Sequence, residues 1–175
     1  MYLLLDFYER LMQFMDKGGP VLYLIAAMSF FMWLLIFERV WYFKGGLKKD
    51  LGSVLDTWEA RSERRSWNAK QIRLSLISQM NLRINQSLPM VKTMVALCPL
   101  LGLLGTVTGM IEVFNIMAVT GGGDAKSMAG GVSKATIPTM AGMVAALSGV
   151  LATTYLERVA SVESQLLEDH LTRDH

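Results

Sequence analysis

Three long apolar runs alternate with charged segments along the chain. The first run, 20–37, holds 18 uncharged residues, the second, 93–111, holds 19, and the third, 135–156, holds 22. At 1.5 Å per residue, a helix made from any of these runs covers roughly the 30 Å of a hydrocarbon core. Because backbone polar groups in lipid must be satisfied within the segment, the pattern predicts three transmembrane helices. A long helix buried in a soluble protein is the less favoured interpretation.

The segments outside the apolar runs also carry helical periodicity, with apolar residues recurring every three or four positions. We therefore predict an all-α membrane protein whose second and third transmembrane helices extend into a helical cytoplasmic region. The predicted segments are an amphipathic helix at 1–19, transmembrane helix 1 at 20–43, a helical loop at 44–92, transmembrane helix 2 at 93–119, a short loop at 120–130, transmembrane helix 3 at 131–156 and a helical tail at 157–175.

Loop charge predicts the orientation of these helices. Residues 44–92 carry ten Lys or Arg against four acids, whereas 1–19 carry two against three. The positive-inside rule therefore places the 44–92 segment and the C-terminus in the cytoplasm and the N-terminus in the periplasm. At the inner end of the first run, in "FERVWYF", Glu38 and Arg39 are interpreted as an anchor pair and Trp41 as part of an aromatic belt at the interface.

Composition and motifs exclude several functions. A formal net charge of +2 is too small to indicate nucleic acid as a partner, and the single cysteine, Cys98, excludes an internal disulfide. The loop "GGGDAKS" lacks the full spacing of a phosphate-binding loop. His170 and His175 lack the further ligands that a metal site requires. We expect no cofactor, no metal and no enzymatic activity, since no catalytic arrangement is apparent.

The second and third runs each present a face of small residues. At about 100° per residue, Cys98, Gly102, Gly105, Gly109 and Glu112 fall within roughly 80° of one another. The third run repeats the theme with Ala135, Thr139, Gly142, Ala146, Gly149 and Thr153. Small faces let helices approach closely in lipid, and close packing alone is one interpretation. Two such faces in one short chain favour an assembly in which several copies, or a guest helix, line a hydrophilic path.

Two charges lie near the outer ends of these runs. In an antiparallel hairpin, Glu112 and Lys134 reach similar depth, as do Thr106 and Thr139. We predict that the two charges pair near the outer end of the hydrophilic path. The alternative is that Lys134 extends to the interface and Glu112 bonds to a backbone or hydroxyl group. Because Lys134 lies about 140° around the helix from Thr139, both face one axis only if the helix is distorted at Pro138.

The stretch "PLLGLLGTVTGMIEVF", followed by a short loop and "GGVSKATIPTMAGMVAALSG", resembles the paired signature of the ExbB/TolQ proton-channel family, with flagellar MotA as a distant relative. The short length is most similar to a compact ExbB of a Ton system. The resemblance implies an inner-membrane motor subunit that forms a ring, typically a pentamer, in the lipid bilayer. The ring would surround an ExbD-like single-span partner with an intramembrane Asp, and would convert proton motive force into motion passed to a TonB-like protein.

The resemblance also assigns roles to residues. It places the family's pore threonines at Thr106 and Thr139, and we expect Thr136 and Thr153 to line the same path. Their hydroxyls would offer hydrogen-bond donors and acceptors to the partner's Asp.

One position departs from the family's pattern. Many ExbB and TolQ proteins carry a Glu where this sequence has Lys134, and here the acid is Glu112 on the adjacent helix. We therefore expect the partner's Asp to be the titrating group, with Glu112 and Lys134 structural or tuning. Competing functions are a TolQ-like role in envelope integrity, a membrane scaffold that does not conduct protons, and, as a third choice, a membrane enzyme.

Overall fold

The computed structural model describes residues 2–60, 66–121 and 125–170, and these residues form helices and no strand. The elements are α1 (Tyr2–Trp41), a π-helical turn (Tyr42–Gly46), α2 (Leu47–Glu59), α3 (Trp67–Asn85), α4 (Leu88–Thr120) and α5 (Ala125–His170). Three helical stretches, Leu4–Glu59, Trp67–Val119 and Met128–His170, are long and apolar enough to cross a membrane. The expected all-α membrane fold is confirmed. His175 and residues 122–124 of the predicted short loop lie outside the described residues.

The chain forms two compact units. The first comprises residues 1–33 and 93–150, and the second comprises residues 34–92 and 151–175. The first unit therefore holds most of the three apolar runs, and the second holds the charged segment between the first two runs together with the tail.

In the first unit, α1 is bent at Gly19. Its φ of 67° and ψ of −168° form a backbone conformation that residues with a side chain rarely adopt. Pro20 follows and has no N–H to donate to the preceding turn. Non-helical backbone at Gly19 thus divides α1 into two helices, at the boundary between the predicted segments 1–19 and 20–43. Before the kink, Leu4 and Phe7 are exposed, as an amphipathic helix at a membrane surface requires.

The core of the first unit lies where α4 and α5 pack antiparallel, with α1 against both. α1 contributes buried residues after its kink, α4 contributes them around its proline, and α5 contributes small ones: Val21, Leu22, Ile25, Met32, Val95, Cys98, Ala135, Pro138 and Ala146. The contribution of α5 is small in volume because its backbone lies close to that of α4.

The second unit contains α2 and α3, which lie within the predicted helical loop at 44–92, and the continuation of α5. Ser66 caps α3 by accepting a hydrogen bond from the Ala69 N–H over 3.2 Å. Lys92 and Glu157 form an ion pair, and the Arg73 guanidinium donates to the Glu168 carbonyl over 3.1 Å. Up to His170 the predicted helical tail is therefore a continuation of α5, and residues 171–175 lie outside the described residues.

Candidate functional site

The small faces of α4 and α5 pack against each other within one chain. A Cβ added to Gly142 would lie 2.5 Å from the Cys98 carbonyl oxygen, and one added to Gly109 would lie 2.7 Å from the Ala135 Cα. Real Cβ atoms do not approach backbone this closely, so these positions require glycine. The α4–α5 contact is therefore made backbone to backbone, as small residues allow between helices in lipid.

The other predicted packing residues contribute to the same core. An added Cβ on Gly102 would lie 2.9 Å from the Thr139 Cα, Gly105 lies against the Pro138 ring, and Gly149 lies against Val95 and Met32. Ala146 is buried beside them. Of the two interpretations left open for the small faces, the structure shows close packing, and it occurs inside the protomer. The glycines are therefore covered by neighbouring helices of the same chain.

Three threonines lie along one edge of this contact, which we call the hydroxyl edge: Thr106, Thr136 and Thr139. Thr106 lies about 40° around α4 from Gly102, the residue that Thr139 contacts, and Thr136 lies about 60° from Thr139 on α5. Thr106 and Thr139 are half-buried and Thr136 is exposed. The hydroxyl edge therefore faces outward from the protomer.

Each hydroxyl of this edge already donates its hydrogen to a backbone carbonyl. Thr139 donates to Gly102 over 2.9 Å, Thr106 to Leu103 over 2.7 Å and Thr136 to Ser133 over 2.9 Å. A threonine hydroxyl has one donor and two acceptor lone pairs. In this conformation the edge consequently presents acceptors, whereas the sequence led us to expect both donors and acceptors.

Thr153 does not belong to the hydroxyl edge. Its side chain is buried, with 6% of the residue exposed. Thr153 follows Ala146 by seven residues, which places it within about 20° of the centre of the buried face of α5. The expectation that Thr153 lines a path is therefore wrong, because the residue faces the interior of its own chain.

Glu112 and Lys134 are brought together, with Lys134 Nζ 3.3 Å from Glu112 Oε1. Both help to line a small cavity of about 100 Å³ that also includes Thr108 and residues 18–21 around the kink of α1. Neither charge lies on the same side of its helix as the hydroxyl edge. Glu112 is about 120° around α4 from Thr106, and Lys134 is about 140° around α5 from Thr139. The pair therefore lies on the side of the α4–α5 contact that faces α1, and its place near the outer end of a hydrophilic path stays a prediction.

Arg39 has a structural role that the sequence did not indicate. The residue is only 2% exposed, and its guanidinium donates to the Arg83 carbonyl over 3.0 Å and to the Ser87 hydroxyl over 3.2 Å. Its Cζ lies 5.1 Å from the centre of the Tyr42 ring, a cation–π distance. Arg39 therefore joins the end of α1 to the junction between α3 and α4, instead of lying at the surface as an interfacial anchor.

The other two predicted anchor residues are exposed. Trp41 is 80% exposed, and Glu38, whose side chain is half exposed, has Oε2 4.0 Å from Arg39 Nε. Their exposure is compatible with the interfacial position predicted for them. A basic residue adjacent to a helix end was the only signal for Arg39, and it did not identify carbonyl partners more than 40 residues away.

Comparisons with known proteins identify relatives of the chain. The family model described as the MotA/TolQ/ExbB proton channel family matches residues 42–169. Putative biopolymer transport protein ExbB-like 1 of Synechocystis is 28% identical over 91% of this chain and 74% of its own length. ExbB-like 3 of the same organism is 30% identical over 56% of this chain and 47% of its own length. The biopolymer transport protein ExbB of Helicobacter pylori is 35% identical over 51% of this chain and 61% of its own length.

Proposed function

The chain belongs to the MotA/TolQ/ExbB proton channel family, and on this premise we propose that it is the ring-forming subunit of a proton-driven motor in the inner membrane. Several copies, by family resemblance five, would surround the transmembrane helix of an ExbD-like partner that carries an intramembrane Asp. Proton flow through this assembly would energise TonB-dependent transport across the outer membrane. The names of its ExbB relatives refer to biopolymer transport, which supports the proposed role in energising transport.

The outward-facing hydroxyl edge is the observation that carries this proposal. Its oxygens have lone pairs to offer, since the hydrogens of Thr106, Thr136 and Thr139 are bonded to backbone carbonyls. A protonated Asp can donate its O–H to such an oxygen, whereas a charged Asp cannot. Hydrogen bonding to the neutral form disfavours ionisation. The edge therefore stabilises the protonated state of a partner acid within the membrane.

Release of the proton then requires a change in the hydrogen bonds. If Thr139 is to donate to a charged carboxylate, its hydroxyl must leave the Gly102 carbonyl, at a cost of about 1 kcal/mol for one hydrogen bond. That cost is small enough for the hydroxyl to alternate between the two acceptors. A ring of such edges gives the partner's acid a series of equivalent positions at which it can be protonated.

Several copies are needed to enclose the path. The hydroxyl edge of one chain is flanked by exposed apolar residues, among them Met143 and Leu147. Three helices do not by themselves enclose a channel. Other copies and the partner helix would cover the edge and its apolar flanks, and would exclude lipid from the hydroxyls.

The proposal is tested by proton flux in vesicles that contain the chain and its single-span partner. We expect Thr139→Val to abolish the partner-dependent dissipation of a pH gradient while the assembly stays intact. Thr139→Ser should retain flux, because serine keeps both the bond to Gly102 and the acceptor lone pairs.

The matched control is Thr108→Val, which removes a hydroxyl from α4 on the side that faces α1. This variant should conduct like the unchanged protein. Normal flux in Thr139→Val, or equal loss of flux in Thr108→Val, would exclude the assigned role of the hydroxyl edge. Partner-independent turnover of a substrate would instead favour an enzyme. Assembly without any flux in the unchanged protein would favour a scaffold.

A further inference from the structure

An apolar groove lies between α1 and α5 in the first unit. Its volume is about 730 Å³, within the range of small-molecule sites. Leu22, Ile25 and Ala26 form one wall, and Ala141, Val144 and Ala145 form the other. None of these residues belongs to the hydroxyl edge or to the Glu112–Lys134 pair, so the groove is separate from the proposed proton path.

The groove has the depth of one bilayer leaflet. On α1 its lining runs from Phe14, ahead of the Gly19 kink, to Ser29, and Lys17 lies three residues before the apolar run begins. The ten residues from Pro20 to Ser29 are separated by nine helical rises and so span about 14 Å along a helix. Half of a 30 Å hydrocarbon core is about 15 Å. On α5 the groove ends at Ser148. The part of the groove beyond the kink therefore matches the length of an acyl chain in the leaflet on the N-terminal side.

A free cation lies at the mouth of the groove. Lys17 is exposed and forms no ion pair with any residue in the described ranges. It lies just before the Gly19 kink, where α1 leaves the predicted membrane surface, so its ammonium is at headgroup level. An ammonium placed there attracts the phosphate of a lipid whose acyl chain occupies the groove.

The geometry points to a specific phospholipid site, with one acyl chain in the α1–α5 groove and the phosphate at Lys17. Helix α4 of a second copy is a poorer occupant. The sole acid of α4 is Glu112, which is paired with Lys134, so α4 of a neighbour offers no counter-charge to Lys17. A phospholipid can pack an acyl chain against the apolar walls and place its phosphate beside the Lys17 ammonium.

The site is tested by native mass spectrometry of the full-length assembly in detergent, titrated with phosphatidylglycerol or with diacylglycerol of the same chains. Phosphatidylglycerol should bind about fivefold more tightly, the contribution of one lysine near a lipid phosphate. Lys17→Gln should reduce the affinity for phosphatidylglycerol to that for diacylglycerol and leave the latter unchanged. Equal binding of the two lipids, or an unchanged preference in Lys17→Gln, would overturn the proposal.

Two adjacent alanines supply a steric test. Ala26→Phe fills the groove and should abolish binding of both lipids, whereas Ala27→Phe lies about 100° around α1, outside the lining residues, and should not. Equal binding by both variants would contradict the location.

A photo-crosslinking side chain at Val144 distinguishes the occupants, since a lipid adduct supports the site and a chain-to-chain adduct would assign the groove to a second copy. The proton-flux variants do not touch the groove, so either proposal can fail alone.

Discussion

Gly142 gives the sharpest test of how α4 and α5 are held together. In Gly142→Ala, the new Cβ would lie 2.5 Å from the Cys98 carbonyl oxygen, against about 3.4 Å for an ordinary contact. The obstacle is backbone, so no side chain can rotate away. The two helices must separate by about 0.9 Å at this point, since the carbonyl cannot move independently of α4.

The structure gives the size of the effect. Overpacking a well-packed core costs typically about 1–3 kcal/mol. Separation of the helices also weakens the hydrogen bond from the Thr139 hydroxyl to the Gly102 carbonyl, which is 2.9 Å long. Loss of this bond costs about 1 kcal/mol of stability in addition. Alanine recovers about 1 kcal/mol because it favours a helix more than glycine does. We therefore expect Gly142→Ala to lower the free energy of unfolding by about 1–3 kcal/mol.

Gly130 is the matched control, because it lies in the same helix and an added Cβ there meets nothing within 4 Å. Gly130→Ala should leave stability unchanged or raise it by up to about 1 kcal/mol. The assay is unfolding of the purified protein in mixed micelles by titration with denaturing detergent, followed by circular dichroism. If Gly142→Ala were as stable as Gly130→Ala, the backbone-to-backbone contact between α4 and α5 would be refuted.

Three further predictions concern other contacts. Arg39→Met should lower the free energy of unfolding by at least about 2 kcal/mol, because it removes two charge-assisted hydrogen bonds, and a loss under 0.5 kcal/mol in the same titration would count against them. Gly19→Ala should cost about 1–3 kcal/mol, since the residue holds a φ of 67°; unchanged stability would show that α1 is not kinked there. The double exchange Glu112→Lys with Lys134→Glu should be more stable than either single exchange, because it restores the ion pair; stability no better than the single exchanges would contradict the observed pairing.

The helices were predictable because they depend on local pattern. Apolar runs of 18 or more residues identify spanning helices, and a period of three to four residues predicted that the 44–92 segment is helical. The kink in α1 also depends on a local motif, the "GGP" at residues 18–20. A Gly-Pro pair can end or bend a helix, and here the non-helical backbone of Gly19 separates the segments predicted at 1–19 and 20–43.

The direction in which each side chain faces around its helix was less predictable. The 140° between Lys134 and Thr139 already argued against one shared axis, and the structure resolves that conflict by turning the pair toward α1. Burial of Arg39 depends on Arg83 and Ser87, which approach only after the chain folds back. The pattern of residues within α1 does not indicate that Arg83 and Ser87 lie close to Arg39. Thr153 was misjudged for the same reason, since burial depends on neighbouring helices.

The central claim is that the hydroxyl edge faces the partner's ionisable helix, and photo-crosslinking within the assembled complex measures this directly. A photoreactive side chain at Thr136, which is exposed on that edge, should form an adduct with the partner's transmembrane segment close to its Asp. The same side chain at Thr108, on the side that faces α1, should form none. Adducts at Thr108 and none at Thr136 would contradict the account.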